Sequence, residues 1–326
     1  MSDSFLASRG FPYLVQNNER RNVKVAILGC GPSGLLAAHA CYISDVEFDI
    51  YSKKRKSELF GSQYLHNPIP QLTPLSDQGV PVKYITLGTP EEYRRKTHGK
   101  WWDGHVAPEE FEPDHTAWDI RQAYDMLWSL YWRKIQNYDV KEASLALQAF
   151  PDEAVSYDLE QNEVLGIGNK KNQYDLIVST IPRTIWEREG DEFIFSEGWA
   201  LGDAPERGVF VEEVLKEMGE NDGGFFSSVN DGMPDNHIIC DGTTGASWTR
   251  LSKVYGYASV EWPHHVPQPH PLASRVTKPL HYTPGPSQGD VPNSEWLHVG
   301  RYGEWKKGVV VTDAFDEVYK KIQEMK

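Results

Sequence analysis

The sequence predicts an α/β fold in which a domain built on a parallel sheet is interleaved with a lobe built on a mixed sheet. Three observations predict it. A short apolar strand, a glycine-rich turn, a helix and a second strand follow one another near the start of the 326-residue chain. The run Tyr174 to Ile181 (YDLIVSTI) is centred on the apolar Leu176-Ile177-Val178 and ends at Pro182, as a strand buried on both faces does. Between and after these segments lie two stretches rich in Pro, Gly, His and Trp, which interrupt the alternation of strand and helix.

Taken in order, Val23 to Leu28 is the first strand, Ser33 to Tyr42 the helix and Val46 to Tyr51 the second strand. Val82, Tyr84 and Thr86 alternate as a strand of the excursion. Ile120, Ala123, Tyr124, Leu127, Trp128, Tyr131 and Ile135 recur at spacings of three and four, which predicts one long amphipathic helix. Asp158 to Gln173 carries polar turn signals. His237 to Cys240 and Lys253 to Val260 read as strands of the second excursion, and Trp296 to Val299 as a strand of the first domain. The last helix starts at Asp313, with Thr312 as N-cap and Ala314, Phe315, Val318, Ile322 and Met325 facing inward. The predicted division assigns residues 1–75, 117–190 and 291–326 to the first domain, and residues 76–116 and 191–290 to the lobe.

Charged residues make up 25% of the chain and hydrophobic ones 39%, the balance of an ordinary globular protein. A formal net charge of −14 opposes a nucleic-acid partner, which would need a clustered basic surface. Cys30, Cys41 and Cys240 are odd in number and widely spaced, so they form neither a disulfide framework nor a zinc ligand set. Met1 to Gln16 lacks the features of a secretory signal, and no run of about 18 apolar residues occurs. The chain is accordingly expected in the cytoplasm, with no membrane partner.

The motif with the most chemical content is Gly29-Cys30-Gly31-Pro32-Ser33-Gly34, a G-x-G-x-x-G placed between a strand and a helix. The first glycine allows the tight turn, the second lets a diphosphate approach the backbone, and the third lets the helix lie close on the strand. The phosphates then meet the positive helix end. This is the first half of a Rossmann-like dinucleotide site. An acidic residue commonly ends the second strand, but here Ser52 stands there, followed by Lys53-Lys54-Arg55-Lys56. Ser52 and Lys53 either receive a 2′-phosphate, as in NADP(H) binding, or open a solvated basic loop.

The combination of GCGPSG near the start, YDLIVSTIPR in the middle and VGRYGEWKKGVVVTDAF near the end resembles the glutathione-reductase-like FAD-binding superfamily. Within it, the resemblance is to the group of UDP-galactopyranose mutases, amine oxidases and protoporphyrinogen oxidases. It implies an FAD cofactor, with Gly300, Arg301, Thr312 and Asp313 beside the flavin or its ribityl chain. The stretch DGTTGASWTRLSKVYGYASVEW (Asp241 to Trp262) is loosely similar to substrate-lobe strands of the mutase branch. Ser52 in place of an acidic residue also resembles flavin monooxygenases fed by a separate reductase. Leu201-Gly202-Asp203-Ala204 is a second candidate for the flavin-contacting turn, set against an ordinary loop.

For substrate contact the candidates are Gln63 and His66, in a segment that would run along the FAD, and a wall of Trp248, Arg250, Tyr255 and Tyr257. Such a wall suits a planar or anionic ligand. His66, Arg250 and Tyr255 are the catalytic candidates; a hydrogen-bonded structural histidine and a packed sheet face are the alternatives. His264, His265 and His270 lack the spacing of a metal site, and no metal is expected. Gly166-Ile167-Gly168 opens no second nucleotide site, so NADPH would dock transiently unless substrate or a flavin reductase delivers the electrons. The leading expectation is an FAD-dependent oxidoreductase that transfers hydride between flavin and a small-molecule substrate. A non-redox mutase, an NADP(H)-binding reductase and a non-catalytic cofactor-binding protein are the rivals.

Overall fold

The computed structural model describes residues 23–52, 56, 58–59, 61–73, 77–99, 114–137, 174–186, 190–219, 233–285 and 296–326. Lys53, Trp101, Trp102 and the segment 158–173 lie outside them. Strand β1 (Lys24–Leu28) leads through the glycine turn into α1 (Pro32–Ile43) and then β2 (Glu47–Ser52). Strand β3 (Val80–Leu87), helix α2 (Pro90–His98) and strand β4 (His115–Ala117) follow. Helix α3 (Ile120–Tyr131) leads to β5 (Ile135–Asn137), and β6 (Leu176–Ser179) comes next. Then come β7 (Glu192–Gly202), α4 (Val211–Glu217), β8 (His237–Asp241), β9 (Arg250–Val254), β10 (Tyr257–Pro263) and β11 (Ser274–Thr283). Strand β12 (Trp296–His298), α5 (Gly300–Glu304) and α6 (Asp313–Met325) end the chain.

Two sheets organise these elements. The first has the order β12-β6-β1-β2-β5 and is parallel throughout. The strand order reverses direction around β1, the geometry that opens a crevice at the strand ends of a Rossmann-type sheet. The second has the order β11-β7-β10-β9-β8-β3-β4 and is antiparallel except where β3 meets β8. The fold is therefore the α/β arrangement of a Rossmann-like sheet with a mixed second sheet.

Burial explains why these segments take these forms. Every residue of β6 is buried, as its unbroken apolar run requires. The apolar faces of α1, α3 and α6 share one core with the first sheet, and Ala314, Phe315, Val318 and Ile322 of α6 are buried in it as their spacing predicts. A second core lies on the far face of the second sheet, where Trp248, Val260 and Trp262 meet Val211 and Leu215 of α4.

The sequence expectations are corrected in four places. The helix read through Ile135 stops at Tyr131; a short 3₁₀ turn follows, and Ile135, still buried, opens β5. Lys253 to Val260 is not one strand, because Tyr255 and Gly256 have φ of 52° and 74° and turn β9 back into β10. The side-chain oxygens of Asn236 and Asp235 accept from the Tyr255 and Gly256 amides and hold that turn. Thr312 is the N-cap of α6 as expected, but its side chain makes no capping bond: its Oγ1 is buried without a partner, and the Asp313 carboxylate accepts from the Val310 amide instead. Finally β7, β11 and α2 form where the chain offered no clear period. Among the described residues no helix is long and apolar enough to cross a membrane.

The close approach of α1 to β1 is testable. A Cβ on residue 34 would lie 2.1 Å from the Gly29 carbonyl oxygen. Gly34→Ala is therefore expected to lower stability by about 1–3 kcal/mol or more, the range of overpacking changes, measured as a shift of the urea midpoint at constant slope.

Candidate active site

The face of the second sheet turned toward the first carries two adjoining cavities. One, of about 460 Å³, lies between Pro32, Ile120 and Val311 on one side and Gly202, Ser252 and Ser259 on the other. Its neighbour, of about 290 Å³, lies under α2. Tyr64, Arg250 and Glu261 line both and so stand between them.

Strand alternation puts these residues on one face. Ser259 pairs with Ser252 across β9 and β10, and Glu261 with Arg250, so all four side chains point the same way while Leu251 and Val260 go to the opposite core. Segment 61–66 is stitched across this face from both sides. Leu65 and Trp118 exchange backbone hydrogen bonds of 2.9 Å. The Ser62 hydroxyl bonds those of Ser252 and Ser259, and the latter two are 2.9 Å apart. The Arg121 guanidinium donates to the Leu59 and Gly61 carbonyls and lies 3.5 Å from the centre of the Tyr257 ring.

At the glycine turn, Gly29 has φ of 102° and donates its amide to the Tyr51 carbonyl. Gly31 is the N-cap of α1; no side chain caps the helix and its first turn holds no acidic residue. Gly300 packs so closely on Ser33 that a Cβ there would be 2.8 Å from the Ser33 hydroxyl. The structure thus brings Gly29, Gly31, Pro32, Ser33, Gly34 and Gly300 together, with Pro32 on the wall of the larger cavity and Ser52 buried at the end of β2.

Other expected residues separate. Gln63 lines the larger cavity, His66 and Arg301 line the smaller one, and Arg250 lines both. Thr312 and Asp313 line neither; Val311 faces the larger cavity in their place. The wall read from Trp248, Arg250, Tyr255 and Tyr257 is dispersed. Trp248 is buried in the opposite core, and Tyr255 occupies the β9–β10 turn with its hydroxyl donated to the Ala117 carbonyl. Tyr257 faces Arg121. Asp203 serves structure, accepting from the amides of Val211 and Ala258 at 2.7 and 2.6 Å. In the His264 to His270 loop the first two rings are perpendicular, and among the described residues no cluster of metal-ligating side chains occurs.

Sequence reading missed Glu261, Lys278, Thr97, His98 and Lys307. Burial opposes ionisation of the Glu261 carboxyl, but Lys278 and Arg250 hold it down at about 2. Lys278 pairs with it at 2.5 Å. Burial, followed by the charges of Lys307, Lys278, Arg301 and Arg94, pushes His98 down to about 3. Helix α2, which carries His98, was readable: Thr89-Pro90-Glu91-Glu92 is a capping box with proline at the first helical position, and the structure shows both reciprocal bonds.

The depressed His98 value has a definite pH consequence. Below its ordinary value of 6.5 the unfolded chain takes up a proton that the folded chain refuses until about pH 3. Stability is therefore complete above about pH 6.5 and declines on acidification, by up to about 1.4 kcal/mol per pH unit for one proton. His98→Gln is expected to flatten the loss between pH 7 and 5, read from urea midpoints of both proteins.

No family model matches the sequence, and no curated protein matches it. Solved structures similar to it include reduced UDP-galactopyranose mutase, at 10% identity and a TM-score of 0.43, covering 93% of this chain and 93% of that one. The tetrameric form of 2-methyl-3-hydroxypyridine-5-carboxylic acid oxygenase is similar at 13% identity and a TM-score of 0.43, covering 93% and 88%. CtdE in complex with FAD and a substrate is similar at 12% identity and a TM-score of 0.40, covering 93% and 84%.

Proposed function

We propose that the protein binds FAD and acts as an oxidoreductase on a small molecule held beside the flavin. One observation carries this reading: the uncapped N-terminus of α1, entered by a glycine turn, opens at the crevice of the parallel sheet next to a cavity of about 460 Å³.

The residues present fit a dinucleotide. The first turn of α1 has no carboxylate and no capping side chain to compete for its amides, so the positive helix end is available to a diphosphate. Gly34 and Gly300 hold the backbone where side chains would not fit. Bound flavin supplies a two-electron acceptor for hydride. The chain's own part is positional: Pro32, Val311 and Gln63 border the larger cavity, and Tyr64, Arg250 and Glu261 lie between it and the smaller chamber. Glu261 keeps its charge through the Lys278 ammonium paired with it at 2.5 Å and the nearby charge of Arg250, which orders the shared wall.

The purified protein is expected to be yellow, with a flavin spectrum and FAD released on denaturation. Gly31→Val should abolish cofactor retention while leaving the far-ultraviolet circular dichroism unchanged, because the branched side chain excludes the diphosphate. A colourless wild-type protein, or full retention by the variant, would refute the reading. Bleaching by NADPH followed by recovery in air identifies the nicotinamide as electron source; a spectrum indifferent to NADPH assigns that role to the substrate or a separate reductase.

A further inference from the structure

The smaller chamber carries more charge than a cofactor cleft needs. Among the described residues, five cationic side chains line it, Arg94, Arg250, Lys278, Arg301 and Lys307, against the single carboxylate of Glu261. Lys278 pairs with that carboxylate at 2.5 Å, and Arg250 faces it across the β9–β10 ladder. Concentrated positive charge in a concave, partly dry site favours an anion strongly.

A second observation points the same way. Thr97 and His98 line the chamber, each 8% exposed, and the Oγ1 of one and the Nδ1 of the other are buried with no hydrogen-bond partner. Buried polar atoms are ordinarily satisfied, so two orphans on one wall mark a place where a ligand completes the bonding.

The remaining wall is aromatic. Tyr64, His66, Tyr84 and Tyr93 face the chamber. The rings of Tyr64 and His66 are 4.8 Å apart, and His115 stacks behind His66 at 5.2 Å and 13°. A volume of about 290 Å³ stands at the lower end of the range of about 300–1,000 Å³ for drug-sized ligands, which suits one ring with an acidic substituent.

We propose that this chamber binds a small aromatic carboxylate, with the carboxylate toward Arg301, Lys307 and His98 and the ring against Tyr64 and His66. The anion site stands on these residues alone; that its occupant is the substrate rests on the flavoprotein reading above. Charge-assisted bonds to guanidinium and ammonium groups hold the acid, and the orphaned Thr97 hydroxyl supplies a further donor.

Isothermal titration calorimetry of the full-length protein with benzoate, benzyl alcohol and inorganic phosphate tests this, with a visible spectrum taken on each sample. Benzoate is expected to bind at least about tenfold more tightly than either of the others. Arg301→Gln and Lys307→Gln should each weaken benzoate by at least about tenfold, whereas Lys307→Arg keeps the charge and stays within about twofold. Lys307 is half-exposed, so its variants spare the fold, and a urea midpoint identifies any that do not. Absence of benzoate binding, equal binding of benzyl alcohol or phosphate, or unchanged affinity in both glutamine variants would overturn the assignment. Flavin retained without benzoate binding sinks the anion site and spares the cofactor reading; benzoate bound by a colourless protein does the reverse.

Discussion

The contact between the Gly29 carbonyl and residue 34 constrains everything else in the first half of the molecule. With only a hydrogen at that position, α1 lies against the turn that precedes it, at a separation no side chain permits. That closeness sets the direction in which the helix points its amides and seats its flank against α3 and α6. It also leaves β1 free to pair in register with β2 on one edge and β6 on the other. The crevice at the strand ends follows from that order of strands, and the larger cavity is its continuation toward the second sheet.

The second sheet divides its two faces by chemistry. On β9 and β10, residues of one parity are Leu251, Val260 and Trp262, which are buried against α4, while those of the other are Arg250, Ser252, Ser259 and Glu261. The hydroxyl pair holds segment 61–66 in place, and the charged pair stands at the boundary between the two cavities. One two-residue periodicity therefore builds a core on one side and a polar working surface on the other.

The parallel sheet was legible because its signals are local: a glycine turn, an apolar run and helical spacing each declare themselves within a few residues. The second sheet was not. Along β7 the buried positions include Ser196 and Gly198, while Phe193 and Phe195 are only partly buried, so its alternation does not read as apolar against polar. The β9–β10 turn escaped because tyrosine at positive φ is uncommon, and the acceptors that hold it, Asp235 and Asn236, lie about twenty residues upstream. The same remoteness hid the chamber. Lys278, His98 and Arg301 come from β11, α2 and α5, and only the tertiary fold brings them to one wall. By contrast the glycines and Ser33 meet Gly300 because the last strand, β12, pairs with β6 next to β1.

The seam formed by Ser62, Ser252 and Ser259 joins the two halves through neutral hydroxyls, each able to donate or accept by rotating a proton. Such a junction has no net charge for dissolved ions to screen, whereas attraction between a cation-lined hollow and an incoming acid weakens as ionic strength rises. That seam is thereby insensitive to the electrolyte, and the occupancy of the hollow is left to respond to it.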